Sequence, residues 1–290
     1  SILVCEGIDT VSKVIVNGKE VGRSENMFRR YIFDVSGGLI VRGKENQIQV
    51  QFENAAKVAE KKRKECPYVI PSSDDMEAQH GVAGRNFVRK EQCSFSWDWG
   101  PATVTQGIWK PIKIISFNEA TIIEISPTVS KEKGNDGGDW KVKTRVVLEG
   151  VAGESGILTT MIESISTTTT TAVKFESNGQ KVVDVEMTVP KEKVEVWWPV
   201  EIGPGTRKLY QMSVKFAGDR ATGETSKMTK KIGFRTFEIV QEPLAGELGR
   251  SFYFRVNGIK FFAKGANWIP ADTFEDRKST RLNSSHESPS

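Results

Sequence analysis

The stretch KVIVNGKEVG (residues 13–22) sets Asn17-Gly18 between two runs that alternate around valine and isoleucine. An Asn-Gly pair flanked in this way is the strongest short-range signal for a two-residue β-hairpin, because both turn positions need a positive φ. The same grammar extends outward from it. RYIFDV (30–35) and NQIQVQF (46–52) read as strands, the second alternating apolar and polar residues at period two. ENAAKVAEKKRKEC (53–66) is the one plausible helix, short and charged, and PSSDDMEAQHGVAG (71–84) reads as loop. GIWKPIKIISF (107–117) resumes the strands and closes a first all-β unit.

A second β unit is expected from about residue 118 to 240. WKVKTRVVLEG, TTMIESIS, KVVDVEMTV, KLYQMSVKF and KIGFRTFEIV recur at the spacing of a sandwich. The threonine run at 167–171 suits a strand or its loop better than a glycosylated linker, since β-branched residues favour strands and no proline accompanies them. At 197–199, WWP puts two adjacent indoles in a predicted strand, one expected to face the core and the other outward. SFYFRVNGIKFFAKGANWIP (251–270) reads as a hairpin turning at Asn257-Gly258, then an apolar strand ending at a tryptophan. KSTRLNSSHESPS (278–290) has five serines and no apolar periodicity, and reads as a non-native scar.

Composition narrows the function classes. The 290 residues are 38% hydrophobic and 27% charged, a globular balance with length for about two domains. The net charge of +4 comes from 41 basic and 37 acidic residues spread along the chain. The one dense basic run, KKRKE at 61–65, lacks interleaved aromatics, so it reads as a solvated helix face or loop and no nucleic-acid partner is expected. No apolar run approaches the ~18 residues of a membrane span, so no membrane partner is expected either. The opening SILVCEGIDTV lacks Met and already reads as strand, so the native N-terminus is expected upstream and a missing signal peptide says nothing about compartment. Cys5, Cys66 and Cys93 are too few and scattered for a disulfide framework or a zinc site. Cys5 reads as a small buried hydrophobe, and a Cys66–Cys93 bridge is left open. With His80 and His286 as the only histidines, neither a His-based metal site nor Ser/His/Asp chemistry is expected.

The densest functional-looking stretch is CSFSWDWGP (93–101), where Asp98 stands between Trp97 and Trp99 ahead of Gly100-Pro101. An aspartate between indoles serves either as a buried structural acid or as a hydrogen-bond acceptor beside an apolar platform. The second arrangement is what sugar recognition requires. Arg89, Lys90 and Glu91 form a charged patch beside it, expected to hold the loop rather than touch a ligand.

In order, NMFRRYIFDV, NFVRKEQCSFSWDWGPATVTQGIWKPI, WWP, LYQMSV, IGFRTFEI and FFAKGANWIPADTFEDR resemble the β-mannosidases of glycoside hydrolase family 2, of the animal lysosomal type. The resemblance covers residues 1 to 277; WDWG and GANWIPAD are its specific motifs. It implies a mostly β chain: a jelly-roll, galactose-binding-like domain at 1–117, an immunoglobulin-like β-sandwich at 118–240, and the truncated start of a (β/α)8 barrel at 241–277. It further implies an exo-acting retaining hydrolase of terminal β-D-mannose, working without metal or organic cofactor on a β-mannoside oligosaccharide, and located in the lysosome. Both catalytic glutamates of such enzymes come from later barrel strands, so no residue here is assigned as catalytic and the chain alone is expected to be inactive. Carried over by position, Trp97, Asp98 and Trp99 fall at the pocket for the terminal mannose, and Trp268 at the C-terminal end of the first barrel strand. Asp272 is a turn or capping acid and is left out. Two rival readings remain: a non-catalytic carbohydrate-binding β-sandwich protein, against which the strand at 260–270 speaks, and a family-2 relative acting on galactose or glucuronic acid, disfavoured by the WDWG loop.

Overall fold

A computed structural model describes residues 1–70, 81–96, 102–131, 138–220, 223–246 and 248–267. They divide into two units, Ser1–Ser116 with Asn267, and Phe117–Ala266.

The first unit contains β1 (Ile2–Cys5), β2 (Ile8–Asp9), β3 (Ser12–Val16), β4 (Lys19–Ser24), β5 (Tyr31–Asp34), β6 (Ile48–Phe52), α1 (Ala55–Glu65), β7 (Gly107–Ile108) and β8 (Ile112–Ile115). They pair antiparallel into two three-stranded sheets, β5-β1-β8 and β4-β3-β6, and a ribbon, β2-β7. Leu3 and Cys5 from one sheet meet Val14 and Val16 from the other, with Phe33 and Val35, in a shared apolar core. The Asn17-Gly18 turn forms where the sequence places it, with φ of 46° and 81°. Asn17 also clips the turn to its surroundings, donating to Leu39 O at 2.7 Å and accepting from Gln47 N at 2.8 Å. Along β6, Gln49 and Gln51 are exposed and Ile48, Val50 and Phe52 turn inward, as period two requires.

Helix α1 starts because the Asn54 side chain accepts from Lys57 N at 3.0 Å, one of the amides a helix start leaves unpaired. Ala55 and Ala59 form its buried face, and Lys62, Arg63 and Lys64 sit in the last turn, where cations suit the helix dipole. KKRKE is thus a solvated helix face. Arg63 and Lys64 beside Glu60 hold its carboxyl down to about 2.

The second unit is a two-sheet sandwich. Its strands are β9 (Ala120–Lys131), β10 (Trp140–Gly150), β11 (Ser155–Ile162), β12 (Thr167–Lys174), β13 (Gly179–Val189), β14 (Tyr210–Gly218) and β15 (Thr225–Ile232). One sheet runs β13-β10-β9 and the other β12-β11-β14-β15, all antiparallel. Ile122, Val142 and Leu148 from the first sheet pack on Leu158, Met212 and Phe216 from the second, and Phe234 receives Trp140 and Tyr210 edge-on at 5.6 and 5.3 Å. The threonine run is strand β12, paired residue by residue with β11. A further sheet in this unit, β16-β17-β18, is built from Phe237–Val240, Tyr253–Val256 and Ile259–Phe261, with the predicted turn at Asn257 (φ 48°) and Gly258 (φ 80°).

Four expectations change. TTMIESIS is not one strand: β11 stops at Ile162 and Glu163–Ile165 form a 3-10 turn. KIGFRTFEIV is split at residues 233–236, because its first part pairs with β14 and its second with β17. WWP lies in no strand, so strand alternation does not sort its indoles; both are half-buried. Trp197 N donates to Phe234 O at 2.9 Å, and the Arg235 guanidinium stacks 4.6 Å above the Trp197 ring. Finally, the apolar strand expected to run from 260 toward residue 270 ends at Phe261, and 262–267 carry no strand. A barrel strand needs a parallel neighbour on each side, and among the described residues β18 pairs with β17 alone.

Candidate functional site

Trp97, Asp98, Trp99 and Trp268 lie outside the described residues, as does Asp272. What is described is the chain on either side of residues 97–101, and it is closely built. Ser94, Phe95 and Ser96 lead in, all buried. Thr103 N donates to Ser94 O at 2.9 Å, joining the chain on the two sides of residues 97–101, and Val82 N donates to Phe95 O at 3.0 Å. Phe95 is fully buried against Ala59 of α1 and Val88. Gly84 permits that approach. Its φ is 86°, and a Cβ there would stand 3.1 Å from the Ala59 carbonyl carbon, so both conformation and space call for glycine.

Beneath the stems lies a buried ionic contact. Lys90 precedes the loop and Thr105 follows it; the Lys90 ammonium donates to the Asp9 carboxylate, and to Thr105 Oγ1 at 3.0 Å. Thr105 Oγ1 donates to the same Asp9 oxygen at 3.2 Å, and the neighbouring Thr10 hydroxyl donates to the other. The Lys90 and Asp9 side chains are 0% and 2% exposed. Asp9 is placed by β2, whose partner β7 brings Gly107 opposite it, two residues from Thr105. Three segments far apart in sequence therefore converge on one carboxylate. Such a pair persists only because it is mutually neutralised and further hydrogen-bonded.

Within the charged patch of Arg89, Lys90 and Glu91, Arg89 is exposed and Lys90 is buried. Lys90 points into the protein, while the backbone on either side of it rests on Met27, itself fully buried. Met27 N donates to Arg89 O at 3.0 Å, Glu91 N to the Met27 sulfur at 3.0 Å, and Trp109 Nε1 to Met27 O at 3.0 Å. Nearby, burial pushes the Glu6 carboxyl up, but the hydrogen bonds and charges of Arg30 (2.6 Å) and Lys113 (3.3 Å) outweigh it and leave Glu6 below its ordinary value. Burial, helped by the Glu6 charge, raises the Cys5 thiol to about 11, in keeping with a small hydrophobe. All three cysteines are free, including Cys66 and Cys93. Among the described residues, no three His, Cys, Asp or Glu side chains group to hold a metal, and no helix is long and apolar enough to cross a membrane.

Asp9, Thr105 and Met27 were missed by sequence reasoning. The available signal was Asp9 itself, the one charged residue in GIDTV.

Residues 1–110 match the family model of the glycosyl hydrolase 2 galactose-binding domain-like group. The chain is 35% identical to the β-mannosidase of Rattus norvegicus over 284 residues, 97% of this chain and 31% of that protein. It is 36% identical to the β-mannosidase of Bos taurus over the same shares. Among solved structures it resembles the crystal structure of the β-D-mannosidase from Dictyoglomus thermophilum, with a TM-score of 0.76 and 30% identity, covering 95% of this chain and 32% of that one. The chain thus spans about a third of the length of the proteins it matches.

Proposed function

We propose, for a chain whose residues 1–110 are a glycosyl hydrolase 2 galactose-binding-like domain and which is homologous to β-mannosidases along 97% of its length, that it is part of an exo-acting, retaining β-mannosidase. The enzyme would remove terminal non-reducing β-D-mannose from oligosaccharides and N-glycan remnants, in the lysosome. The observation that carries the reading is continuity: one stretch of 35% identity to the rat β-mannosidase runs through both units.

The domains follow as a proposal. Residues 1–117 form the jelly-roll domain and 118–240 an immunoglobulin-like sandwich, a reading favoured by sheets ordered β13-β10-β9 and β12-β11-β14-β15. Residues 241–277 begin the barrel, and 278–290 are non-native. Trp97, Asp98 and Trp99 form part of the pocket for the terminal mannose. An ionised Asp98 accepts hydrogen bonds from sugar hydroxyls, each charge-assisted bond being worth about 1.5–3 kcal/mol. The indoles wall the C–H face of the sugar, and Trp268 joins them from the barrel end where such enzymes place their sites. The Asp9–Lys90–Thr105 contact supports this role, since it holds both loop stems before substrate arrives.

Retention needs two carboxyls ~5–5.5 Å apart, one to protonate the leaving oxygen and one to attack the anomeric carbon. Neither is assigned to this chain, so the chain alone is inactive. A second reading is a non-catalytic carbohydrate-binding protein built from the two β units.

The test is a chimera in which this chain replaces the matching third of the rat β-mannosidase, assayed on chromogenic β-mannoside, β-galactoside and β-glucuronide. Preferential β-mannoside hydrolysis by the chimera, with none by the chain alone, is the expected result. A folded chimera that binds mannosides without turning them over supports the second reading, and preference for another sugar refutes the specificity.

A further inference from the structure

In the first unit a cleft of about 550 Å³ opens between α1 and the ends of β3 and β4. Ser12 and Ser24 line its floor, and both are buried. Ser24 Oγ donates to Thr10 O at 2.8 Å and lies 2.7 Å from Ser12 Oγ. A hydroxyl has one proton, so Ser12 is the donor between the two serines and its oxygen can only accept from anything else. Tyr31, which also lines the cleft, has the opposite polarity. Its hydroxyl oxygen accepts from Glu25 N and Asn26 N, each at 3.0 Å, which leaves its proton for a third partner. Charged side chains stand around these groups at the rim: Arg29 and Lys62 as cations, Glu25 and Glu53 as carboxylates, all exposed. Among the described residues none of the four belongs to an ion pair. A further cation of the rim, Arg23, is already taken by Glu20 at 2.8 Å. Opposite charges that share one opening without closing on each other leave their field inside it.

We propose that this cleft binds a small acidic sugar, one that carries a phosphate or a carboxylate. The anionic group answers Arg29, Lys62 and the Tyr31 O–H, since charge-assisted hydrogen bonds are the strong ones. The sugar hydroxyls donate to Glu25 and Glu53, which can accept and cannot donate when ionised. Each simpler ligand leaves part of the cleft unanswered. A bare inorganic anion sets its charge against two carboxylates, and a neutral sugar leaves two cations without a counter-charge. A nucleotide lacks a platform for its base: Tyr31 is the one ring among the described lining residues, and it has the Arg29 guanidinium 5.7 Å over it and Phe33 stacked at 6.1 Å. Those same two contacts hold Tyr31 and Arg29 ready, while the Asn54 cap fixes the start of the helix that carries Lys62. The volume lies inside the range of small-molecule sites, about 300–1,000 Å³. The assignment is independent of the β-mannosidase reading, because it uses none of residues 97–101 and no hydrolytic step.

Isothermal titration calorimetry of this chain with glucose 6-phosphate, glucuronate, methyl glucoside and inorganic phosphate tests it. At least one of the two acidic sugars is expected to saturate at one equivalent, and which of them does so identifies the anionic group. Inorganic phosphate is expected to bind about tenfold more weakly, and the neutral glucoside not to saturate. Lys62→Gln and Arg29→Gln should each weaken the acidic sugar about tenfold to a hundredfold, the range of a hydrogen bond to a charged group. Glu53→Gln should weaken the acidic sugar and strengthen inorganic phosphate, a divergence that a general loss of structure does not produce. Should Arg29→Gln loosen Tyr31 and lower the melting temperature, Lys62→Glu on the exposed side of α1 carries the same test. Failure of both acidic sugars to saturate at millimolar concentration overturns the proposal. So does equal affinity for the glucoside or for inorganic phosphate, or binding that survives Lys62→Glu. None of these results bears on hydrolysis by the chimera, so either reading can fail while the other stands.

Discussion

Lys90→Met is the most informative single change to the frame of the loop. The ammonium is fully buried and faces Asp9, whose side chain is 2% exposed. Methionine fills similar space but leaves the Asp9 carboxylate charged and buried, with the Thr10 and Thr105 hydroxyls still donating to it. Removing one partner of a buried ion pair costs about 3–5 kcal/mol, much of it the penalty for the charge left behind. Against a domain stability of roughly 5–15 kcal/mol, that leaves the first unit marginal. At about 4 °C per kcal/mol for a domain near 100 residues, its melting temperature is expected to fall by roughly 12–20 °C. Because Asp9 and Lys90 both lie in the first unit, the melting of the second should stay where it is. The double variant Asp9→Asn with Lys90→Met removes both charges and is expected to regain much of the loss, as buried pairs replaced whole often do. Differential scanning calorimetry of the wild type, both single variants and the double variant supplies the full cycle. A Lys90→Met loss below about 1 kcal/mol, the range of exposed pairs, would show that the contact does not hold the loop frame.

In the chimera with the rat β-mannosidase, Asp98→Asn is expected to cost about 2–4 kcal/mol of transition-state stabilisation, roughly thirty-fold to a thousand-fold in kcat/KM, with the melting temperature preserved. A fall in melting temperature with near-normal kinetics would make Asp98 a structural acid instead. Gly84→Ala forces a left-handed conformation and a Cβ against the Ala59 backbone, so a loss of about 1–3 kcal/mol in the first unit is expected by urea unfolding; no loss would refute the packing argument. Glu6 is held below its ordinary value by Arg30 and Lys113, so its contribution is present above the unfolded pKa of about 4.3 and is lost as pH falls through the folded value. Glu6→Gln is therefore expected to lower stability at neutral pH and to flatten the acid limb of melting temperature against pH; an unchanged limb would show that the carboxylate is not paired in solution.

Much of the fold was legible because it is local. Asn17-Gly18 and Asn257-Gly258 supply positive φ where two-residue turns need it, and both turns are there. Period two in NQIQVQF and the helical reading of 53–66 depend only on near neighbours, and they correspond to β6 and α1. The motif order resembles that of β-mannosidases, and the chain is 35% identical to the one from Rattus norvegicus. What local pattern does not encode is which distant segment a residue meets. KIGFRTFEIV looks like one strand, yet pairing with β14 on one side and β17 on the other divides it at residues 233–236. WWP looks like strand, but hydrogen bonds from Trp197 to Phe234 and from Trp198 to Thr206 take it out of any ladder. Lys90 reads as one member of a charged patch beside WDWG; that it is buried against Asp9, 81 positions away, is not legible there. Hydrophobic alternation assigns a residue to a face through the geometry of its own strand. An ion pair across the core is decided by chain closure and by the cost of leaving either charge alone, and those are properties of the folded molecule.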